Sequence, residues 1–352
     1  MTMITDNDKE KLEKYRSFVE NSSNGSFMQD VAWAKIKKNW KHFYVYIEEK
    51  EEIVIGMTVL IQTIPKIHRS IMYSPRGPVG KIEDSELLKK LLQEIEPLVT
   101  EYKVFCFKTD PNVFFSDRVR ESFKKAGFLS SPKNPKRQKI IQPVYHMVLS
   151  LKDKSREQVF ESFLPKTRYN IRLAKKRGID VTFSNTEEDL KIFYDLFLVT
   201  TKRNQFPGKS YDYFKDLLNS FDSKHLRIYV ARYRGQALAA AITLKYGEEV
   251  FYLYGASSNE MRNFMPTYLL QWEMIQWGIE NNCSRYNFGG LASPDTTTGL
   301  YRFKEGFCHK EGMVEYIGEF TKVYDPFFYL LYDTIYPNLV KLNSIKLGLH
   351  IK

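Results

Sequence analysis

The segment from Tyr286 to Phe320 contains glycines, aromatic residues and Lys304 at a density that is unusual for a surface loop. Gly289 and Gly290 end a short run typical of a β-strand. Paired glycines permit positive φ and let the backbone approach a ligand closely. A strand that ends in two glycines, with a lysine soon after, therefore indicates an active-site segment.

A short helix is predicted after the glycines, because Leu300, Phe303 and Phe307 recur at helical spacing and would bury one apolar face. This arrangement places Lys304 at the rim of a pocket. The alternative is a solvated surface lysine beside a packed turn, which spacing alone does not exclude.

A second candidate site is a cluster of six cations in a predicted helix that ends at Gly178. A cluster of this kind can follow the phosphates of a nucleic acid, such as the acceptor stem of a tRNA. The alternative is a solvated helix face. The cluster consists of Lys166, Arg168, Arg172, Lys175, Lys176 and Arg177.

The amino-acid composition indicates a folded protein, and its positive charge favours an anionic partner. With 352 residues, of which 43% are hydrophobic and 15% aromatic, the chain can bury a sizeable core and has room for two domains. A net charge of +11 favours phosphate, nucleic acid or an acidic membrane surface. The three cysteines fit no metal-ligand or disulfide spacing, which suits a reducing compartment. We find neither a secretory signal nor a membrane span in the sequence, and expect a cytoplasmic protein.

The two halves of the chain repeat the same order of strands and helices. Tyr73 and Tyr254, like Phe107 and Phe288, are 181 positions apart (254 − 73 and 288 − 107). One offset that holds on both sides of a predicted helix indicates duplication of an α/β unit. The first half has predicted strands 43–47, 53–64, 70–74 and 103–108 with a helix over 84–100, and the second has strands 226–233, 238–246, 250–254 and 285–288 with a helix over 266–281.

Three blocks of the sequence resemble the Fem family of aminoacyl-tRNA-dependent peptidyltransferases, which add amino acids to peptidoglycan precursors. The blocks follow the family's order, and the resemblance covers nearly the whole chain. They are QDVAWAK from Gln29, FLPKTRYNIRLAKKRGIDV from Phe163, and GGLASPDTTTGLYRFKEGF from Gly289 with the following EYIGEF.

The resemblance implies an α/β (α+β) fold of two tandem N-acetyltransferase-like domains. We expect residues 1–143, completed by 321–352, to form the first domain and residues 144–320 the second, with a basic linker at 133–139. The family's long coiled-coil arm is absent, because no sustained heptads occur between Phe183 and His225. Two helices are predicted there instead, over 187–201 and 211–220.

The turn that cradles the coenzyme A pyrophosphate in acetyltransferases has no counterpart in either half. We therefore expect no cofactor, with aminoacyl-tRNA as the co-substrate. A coenzyme A-dependent acetyltransferase, or a non-catalytic RNA or membrane adaptor, remains the alternative reading.

The resemblance also assigns residues to the nucleotide diphosphate of the acceptor. Lys35, on a helix predicted over 29–38, matches a lysine that contacts it. Lys209 and Tyr213 match an arginine and tyrosine pair, with lysine in place of the arginine, and Arg76 could add a further cation. Tyr254 matches a tyrosine that lines the substrate channel, although it could equally be a core residue.

The implied chemistry is acyl transfer, in which the side-chain amine of the stem peptide attacks the aminoacyl ester. Lys304 would stabilise the oxyanion, with Gly289, Gly290 and Phe303 around the substrate. Asp110 would orient or deprotonate the amine, or simply form a turn before proline. The acceptor is either the UDP-linked muramyl pentapeptide or lipid II, and glycine, alanine or serine is transferred.

The basic, amphipathic tail over 324–352 allows two interpretations. It could lie on an anionic membrane, making the protein peripheral at the inner membrane face. It could instead pack across the first domain, which we favour for 327–336. We expect a monomer.

Overall fold

The computed structural model describes residues 3–4, 8–64, 67–130, 141–291 and 295–334. The chain forms two compact units, Met1–Ile141 with Ile317–Lys352, and Gln142–Tyr316. No helix in these described ranges is long and apolar enough to cross a membrane.

After a short first strand, the first unit has two helices and continues as an antiparallel meander, a long helix and a further strand. In chain order its elements are β1 (Met3–Ile4), α1 (Lys9–Asn21), α2 (Val31–Ile36), β2 (Lys41–Glu49), β3 (Glu52–Ile64), β4 (Arg69–Ser74), β5 (Val79–Gly80), α3 (Ser85–Glu101), β6 (Val104–Thr109), α4 (Asp117–Lys125) and β7 (Leu129–Ser130).

The second unit repeats the meander, long helix and strand, with additional helices before and after them. Its elements are β8 (Tyr145–Ser150), α5 (Arg156–Glu161), α6 (Pro165–Lys176), β9 (Ile179–Ser184), α7 (Glu187–Asn204), α8 (Tyr211–Ser220), β10 (Leu226–Tyr233), β11 (Gln236–Tyr246), β12 (Glu249–Ser257), α9 (Pro266–Glu280), β13 (Arg285–Leu291), α10 (Gly299–Cys308) and β14 (Met313–Glu315).

The chain then returns to the first unit as β15 (Phe320–Val323) and α11 (Pro326–Thr334). Strand β15 lies between β6 and β7, and Lys108 on β6 forms a buried ion pair with Glu319 at 2.6 Å. Phe328 and Tyr332 of α11 pack against the cluster that contains Phe105. The tail therefore packs on the first unit through Tyr332, and residues 335 and 336 of the predicted 327–336 segment lie outside the described residues.

The first sheet has the order β1-β2-β3-β4-β6-β15-β7, with β5 on β3. Strands β4 and β6 are parallel and are joined by α3. Asp84 caps α3 by accepting hydrogen bonds from the backbone N–H groups of Glu86 and Leu87. Leu91 and Ile95 belong to the core cluster of this sheet. Helix α3 thus supplies the crossover that parallel strands require.

The second sheet has the order β14-β8-β13-β12-β11-β10-β9, and its parallel pair, β12 and β13, is joined by α9. Tyr73 and Tyr254 lie on equivalent strands before the crossover helix, and Phe107 and Phe288 on equivalent strands after it. The repeat read from the offset of 181 positions (254 − 73) is therefore present in the structure.

Three sequence predictions differ from the structure or fall outside the described residues. The helix expected over 29–38 is a 3₁₀ turn at Phe27–Gln29 followed by Val31–Ile36, because Asp30 is extended and caps the second helix through its carboxylate. The linker 133–139 lies outside the described residues. The units divide at 141/142 and 316/317, where the sequence prediction placed 143/144 and 320/321.

Candidate active site

Lys304 is buried in the second unit, with 4% of its surface exposed. Its Nζ atom donates hydrogen bonds to the carbonyl oxygens of Gly289, at 3.1 Å, and Gly290, at 2.9 Å. Lys304 is therefore not the solvated surface lysine that the spacing alone left open. Its ammonium is drawn inward because the two carbonyls provide acceptors that solvent would otherwise supply.

Helix α10 directs Lys304 to this position. Thr298 caps the helix by accepting a hydrogen bond from the backbone N–H of Tyr301. Tyr301 and Phe307 are buried beside Lys304, whereas Leu300 is 54% exposed. The buried face of α10 therefore contains Tyr301 in place of the predicted Leu300, one residue later in the chain.

The glycine pair provides the two carbonyls because the strand is irregular at this point. The register of β13 on β8 shifts between Asn287 and Gly290. Gly289 has a φ of +78°, a conformation that L side chains rarely adopt, and a Cβ atom on Gly290 would overlap the ring of Pro143. Both positions therefore require glycine, as the sequence indicated.

Burial lowers the pKa of Lys304 from 10.5 to about 8. Within the described residues no carboxylate forms an ion pair with it, and its third N–H has no hydrogen-bond partner there. A buried ammonium without a counter-ion is costly unless it serves an anion. Its chemistry suits stabilisation of negative charge that develops on a bound substrate.

The parallel strands of the second unit diverge beside this lysine. Pairing of β12 with β13 is described only from Glu249–Arg285 to Phe251–Asn287. In the first unit β4 and β6 stay paired as far as Ser74–Thr109. Gly289 and Gly290 lie beyond the last pair of β12 and β13, on the part of β13 that faces Lys304.

Lys209, Tyr213 and Tyr254 are brought together elsewhere in the second unit. The hydroxyl oxygens of Tyr213 and Tyr254 are 2.9 Å apart, and the Nζ atom of Lys209 lies 5.4 Å from the centre of the Tyr213 ring. Lys209 is exposed and both tyrosines are half-buried. The lysine and tyrosine pair implied by the resemblance is thus a spatial pair with its cation facing solvent.

Phe303 has a packing role in this structure. It is half-buried, and its ring centre lies 5.1 Å from that of Tyr268 and 5.5 Å from that of Phe307. Any contact it makes with a substrate would involve only the part of the ring that remains exposed.

Asp110 is buried at the end of β6 in the first unit. Its Oδ1 atom accepts hydrogen bonds from the hydroxyl of Tyr73, at 2.9 Å, and the backbone N–H of Arg76, at 3.1 Å. Its Oδ2 atom has no hydrogen bond and lies 3.7 Å from Nη1 of Arg76. Burial raises the pKa of Asp110 to about 6, against the opposing effect of the Arg76 guanidinium.

Arg76 is 5% exposed and is therefore not a solvated loop arginine. It has a φ of +56° in the turn that follows β4. The Nε2 atom of Gln29 donates to the carbonyl of Pro75 at 2.6 Å, and the hydroxyl of Thr109 donates to the carbonyl of Ser74 at 3.1 Å. These bonds hold the turn that places Arg76 beside Asp110.

Gln29 and Tyr73 are functional candidates that sequence reasoning missed. Gln29 is fully buried and also accepts a hydrogen bond from the backbone N–H of Thr58 at 2.7 Å. The only sequence signal was the position of Gln29 within a family block. Lys35 belongs to the same block and is exposed on α2, with no ion-pair partner among the residues that the structure describes.

The basic cluster on α6 is only partly available to a ligand. Arg168 donates to the carbonyls of Glu161 and Phe163, each at 2.7 Å, and Arg177 donates to the carbonyl of Asn263.

Two further members of the cluster face carboxylates. Arg172 lies 3.5 Å from Glu161, and Lys175 lies 3.7 Å from Glu273. Lys166 and Lys176 are exposed and have no partner in the part of the chain that the structure describes.

The chain matches a known protein family over most of its length. A family model described as FemAB family matches residues 11–236 and 231–337. The UDP-N-acetylmuramoylpentapeptide-lysine N(6)-alanyltransferase of Weissella viridescens is 31% identical over 346 residues, which cover 97% of this chain and 100% of that protein.

Two further proteins resemble this chain, one in sequence and one in fold. A lipid II:glycine glycyltransferase of Staphylococcus haemolyticus is 27% identical over 418 aligned residues, covering 97% of this chain and 98% of that protein. Because that alignment is longer than this 352-residue chain, the glycyltransferase has segments with no counterpart here. A crystal structure of FemX matches with a TM-score of 0.85 and 23% identity, covering 95% of this chain and 100% of that one, and shows the same fold.

Proposed function

We propose, from the premise that this chain belongs to the FemAB family, that it is an aminoacyltransferase acting on a peptidoglycan precursor. The relative from Weissella viridescens is named for transfer of alanine to the lysine of a UDP-linked pentapeptide, and the one from Staphylococcus haemolyticus for transfer of glycine to lipid II. Glycine, alanine or serine is the group transferred, and the acceptor is the side-chain amine of the diamino acid in the stem peptide.

The observation that carries this proposal is the buried ammonium of Lys304, which has two carbonyl acceptors and no carboxylate partner among the described residues. The neutral amine attacks the ester carbonyl of an aminoacyl-tRNA, so that a C–N bond forms and the carbonyl oxygen becomes negative. Lys304 stabilises that oxyanion. The C–O bond to the ribose then breaks and the leaving oxygen takes up the proton that the amine has lost, so that an amide and the free tRNA hydroxyl are released.

Asp110 is proposed to take up the proton that the attacking amine loses. An ordinary aspartate is a weak base near neutral pH. The raised pKa of Asp110, about 6, makes its carboxylate a better proton acceptor while leaving it mostly ionised at pH 7. Oδ2 is the oxygen proposed to take up the proton, because it has no hydrogen bond whereas Oδ1 already accepts two.

The UDP-linked pentapeptide is the acceptor we favour. The alanyltransferase aligns along its full length with this chain, whereas the lipid II glycyltransferase has additional segments. Lys35 and Lys209 are exposed cations without carboxylate partners within the described residues, which is what a nucleotide diphosphate requires. A lipid-linked acceptor would instead place the protein at the inner face of the membrane.

The aminoacyl-tRNA donor is supported by charge. The chain carries a net charge of +11, and Lys166 and Lys176 on α6 are exposed and unpaired within the described residues. Cations that already neutralise carboxylates contribute little to phosphate binding. These two lysines are therefore the proposed contacts to the acceptor stem.

The test is transfer of radiolabelled glycine, alanine or serine from charged tRNA to the UDP-linked pentapeptide and, in parallel, to lipid II. Lys304→Met should abolish the transfer, and Lys310→Met, at an exposed lysine in the same segment, should not. Label that appears in one acceptor identifies that acceptor and the amino acid that is transferred. No label in either, with folded protein, would refute the proposal. Transfer from acetyl coenzyme A would favour an acetyltransferase, and tRNA binding without turnover an adaptor.

A further inference from the structure

Asn287 is a fully buried residue of β13 whose side-chain amide contacts four groups in the second unit. Its Oδ1 atom accepts a hydrogen bond from the backbone N–H of Gly289 at 2.9 Å and lies 3.1 Å from Nδ1 of His146. Its Nδ2 atom donates to Oε1 of Glu249 at 2.8 Å and to the hydroxyl of Tyr316 at 3.3 Å. An amide buried with this many partners is rigidly oriented.

The contact with Gly289 replaces pairing that the sheet does not provide. Asn287 is the last β13 residue with a partner on β12, and the pairing with β8 resumes only at Gly290. Gly289 therefore has no register partner on either neighbouring strand. The side chain of Asn287 fixes this backbone from two residues away.

Glu249 determines which way the amide of Asn287 faces. A carboxylate only accepts hydrogen bonds, so it must meet the NH₂ group of the amide. Glu249 is itself held by the guanidinium of Arg285. With the NH₂ group turned to Glu249, the oxygen of Asn287 is turned to the N–H of Gly289. The order of contacts is thus Arg285, Glu249, Asn287, Gly289.

The final link is Lys304. The carbonyls of Gly289 and Gly290 are the two acceptors of its ammonium, and their direction depends on the conformation of the glycine pair. Resting on the proposed function, we propose that Asn287 is a positioning residue for Lys304. It sets the Gly289 backbone and thereby aims the ammonium at the oxyanion, without touching the substrate itself.

The first test compares Asn287→Ala with Asn287→Asp. The Asp variant keeps an oxygen for the N–H of Gly289 but places a second carboxylate against Glu249. Positioning predicts that kcat falls about 10- to 100-fold in the Ala variant and much less in the Asp variant, with KM for both substrates unchanged. Thermal stability should follow the opposite order, because the second carboxylate should make Asn287→Asp less stable than Asn287→Ala. A merely structural role predicts that kcat and stability fall together.

Folding of the Asp variant can be rescued. Adding Glu249→Gln supplies a donor opposite the introduced carboxylate and keeps an acceptor for Arg285. Thr243→Val is the control, because Thr243 is a fully buried polar residue of the same unit whose hydroxyl donates to the sulfur of Met274 rather than to this network. Its kcat should equal that of the wild type.

The second test reads the position of Lys304 without substrate. Trace acetylation by acetic anhydride, quantified on the peptide that contains Lys304, should be about fivefold faster in Asn287→Ala because the released amine becomes accessible. It should remain near the wild-type rate in Asn287→Asp with Glu249→Gln. Unchanged labelling in the Ala variant would overturn the positioning role. If the variants show this pattern of labelling rates but the wild-type protein has no turnover, the proposed function is refuted and the positioning role stands.

Discussion

The Nζ atom of Lys304 lies 2.9 Å from the carbonyl oxygen of Gly290, so a helix and an irregular strand of the second unit meet at one buried positive charge. A charge in this position reduces stability unless a ligand balances it. The lowered pKa of Lys304, about 8, expresses the same cost. Function and stability should therefore respond in opposite directions to changes at this residue.

Replacing Lys304 with methionine should stabilise the free protein at pH 7 while abolishing transfer. The pKa depression corresponds to roughly 3 kcal/mol, and the two carbonyls left without a donor should reduce the gain to about 1–2 kcal/mol. Because the folded state holds this proton less tightly, the difference should shrink as pH rises from about 8 towards 10.5. Chemical unfolding at several pH values measures it, and a less stable Met variant at pH 7 would contradict the argument.

The pH dependence of kcat/KM should reflect both candidate catalytic groups. Activity should rise as Asp110 ionises near pH 6 and be limited as Lys304 loses its proton near pH 8. Asp110→Asn should remove the acidic limb, and Lys304→Arg should move the alkaline limb upward because arginine keeps its charge.

The acceptor amine titrates identically with every variant, so the ratio of variant to wild-type activity isolates each limb. A ratio that does not change with pH for Asp110→Asn would exclude Asp110 as the base.

Gly290→Ala should inactivate the protein by displacing the carbonyl that holds Lys304. The added Cβ would overlap Pro143, and a forced backbone shift of this kind costs about 1–3 kcal/mol. Gly299→Ala is the matched control, because a Cβ there has open space and the residue begins α10. The control should retain full transfer activity and equal or greater thermal stability. Full activity of Gly290→Ala would show that its carbonyl has no role.

Lys209→Ala should raise KM for the UDP-linked pentapeptide by about tenfold and leave kcat unchanged, because a single exposed charge contact is lost. Lys209→Arg should lower KM below the wild-type value, since its planar guanidinium can bind a diphosphate through two donors and still stack on Tyr213. Steady-state kinetics with the acceptor varied measure both. Equal KM values in all three proteins would place the diphosphate elsewhere.

Lys166→Ala with Lys176→Ala should weaken aminoacyl-tRNA binding and reduce its dependence on salt concentration, because two phosphate contacts are lost. Arg168→Ala should mainly lower thermal stability, since its guanidinium donates to the carbonyls of Glu161 and Phe163. Fluorescence titrations with tRNA at several salt concentrations distinguish these effects. A larger loss of affinity from Arg168→Ala would contradict this assignment.

The sequence alone was sufficient for the family, the repeated α/β unit and the approximate bounds of the helices and strands that it predicts. Helix α8 and strand β10, for example, were predicted with their observed limits, because apolar periodicity and capping residues act locally. The glycines at 289 and 290 were also recognisable, since few other residues tolerate their conformation and surroundings.

Only the tertiary structure decided where the charges of the site lie. Lys304 and Arg76 look like surface cations in the sequence, yet both are buried, because their partners come from other elements of the same unit. Asn287 and Gln29 belong to no periodic pattern, since a side chain that holds distant backbone groups needs no periodicity. The sequence therefore determined which residues are available for chemistry, whereas long-range packing determined their burial, their pKa values and the direction in which they point.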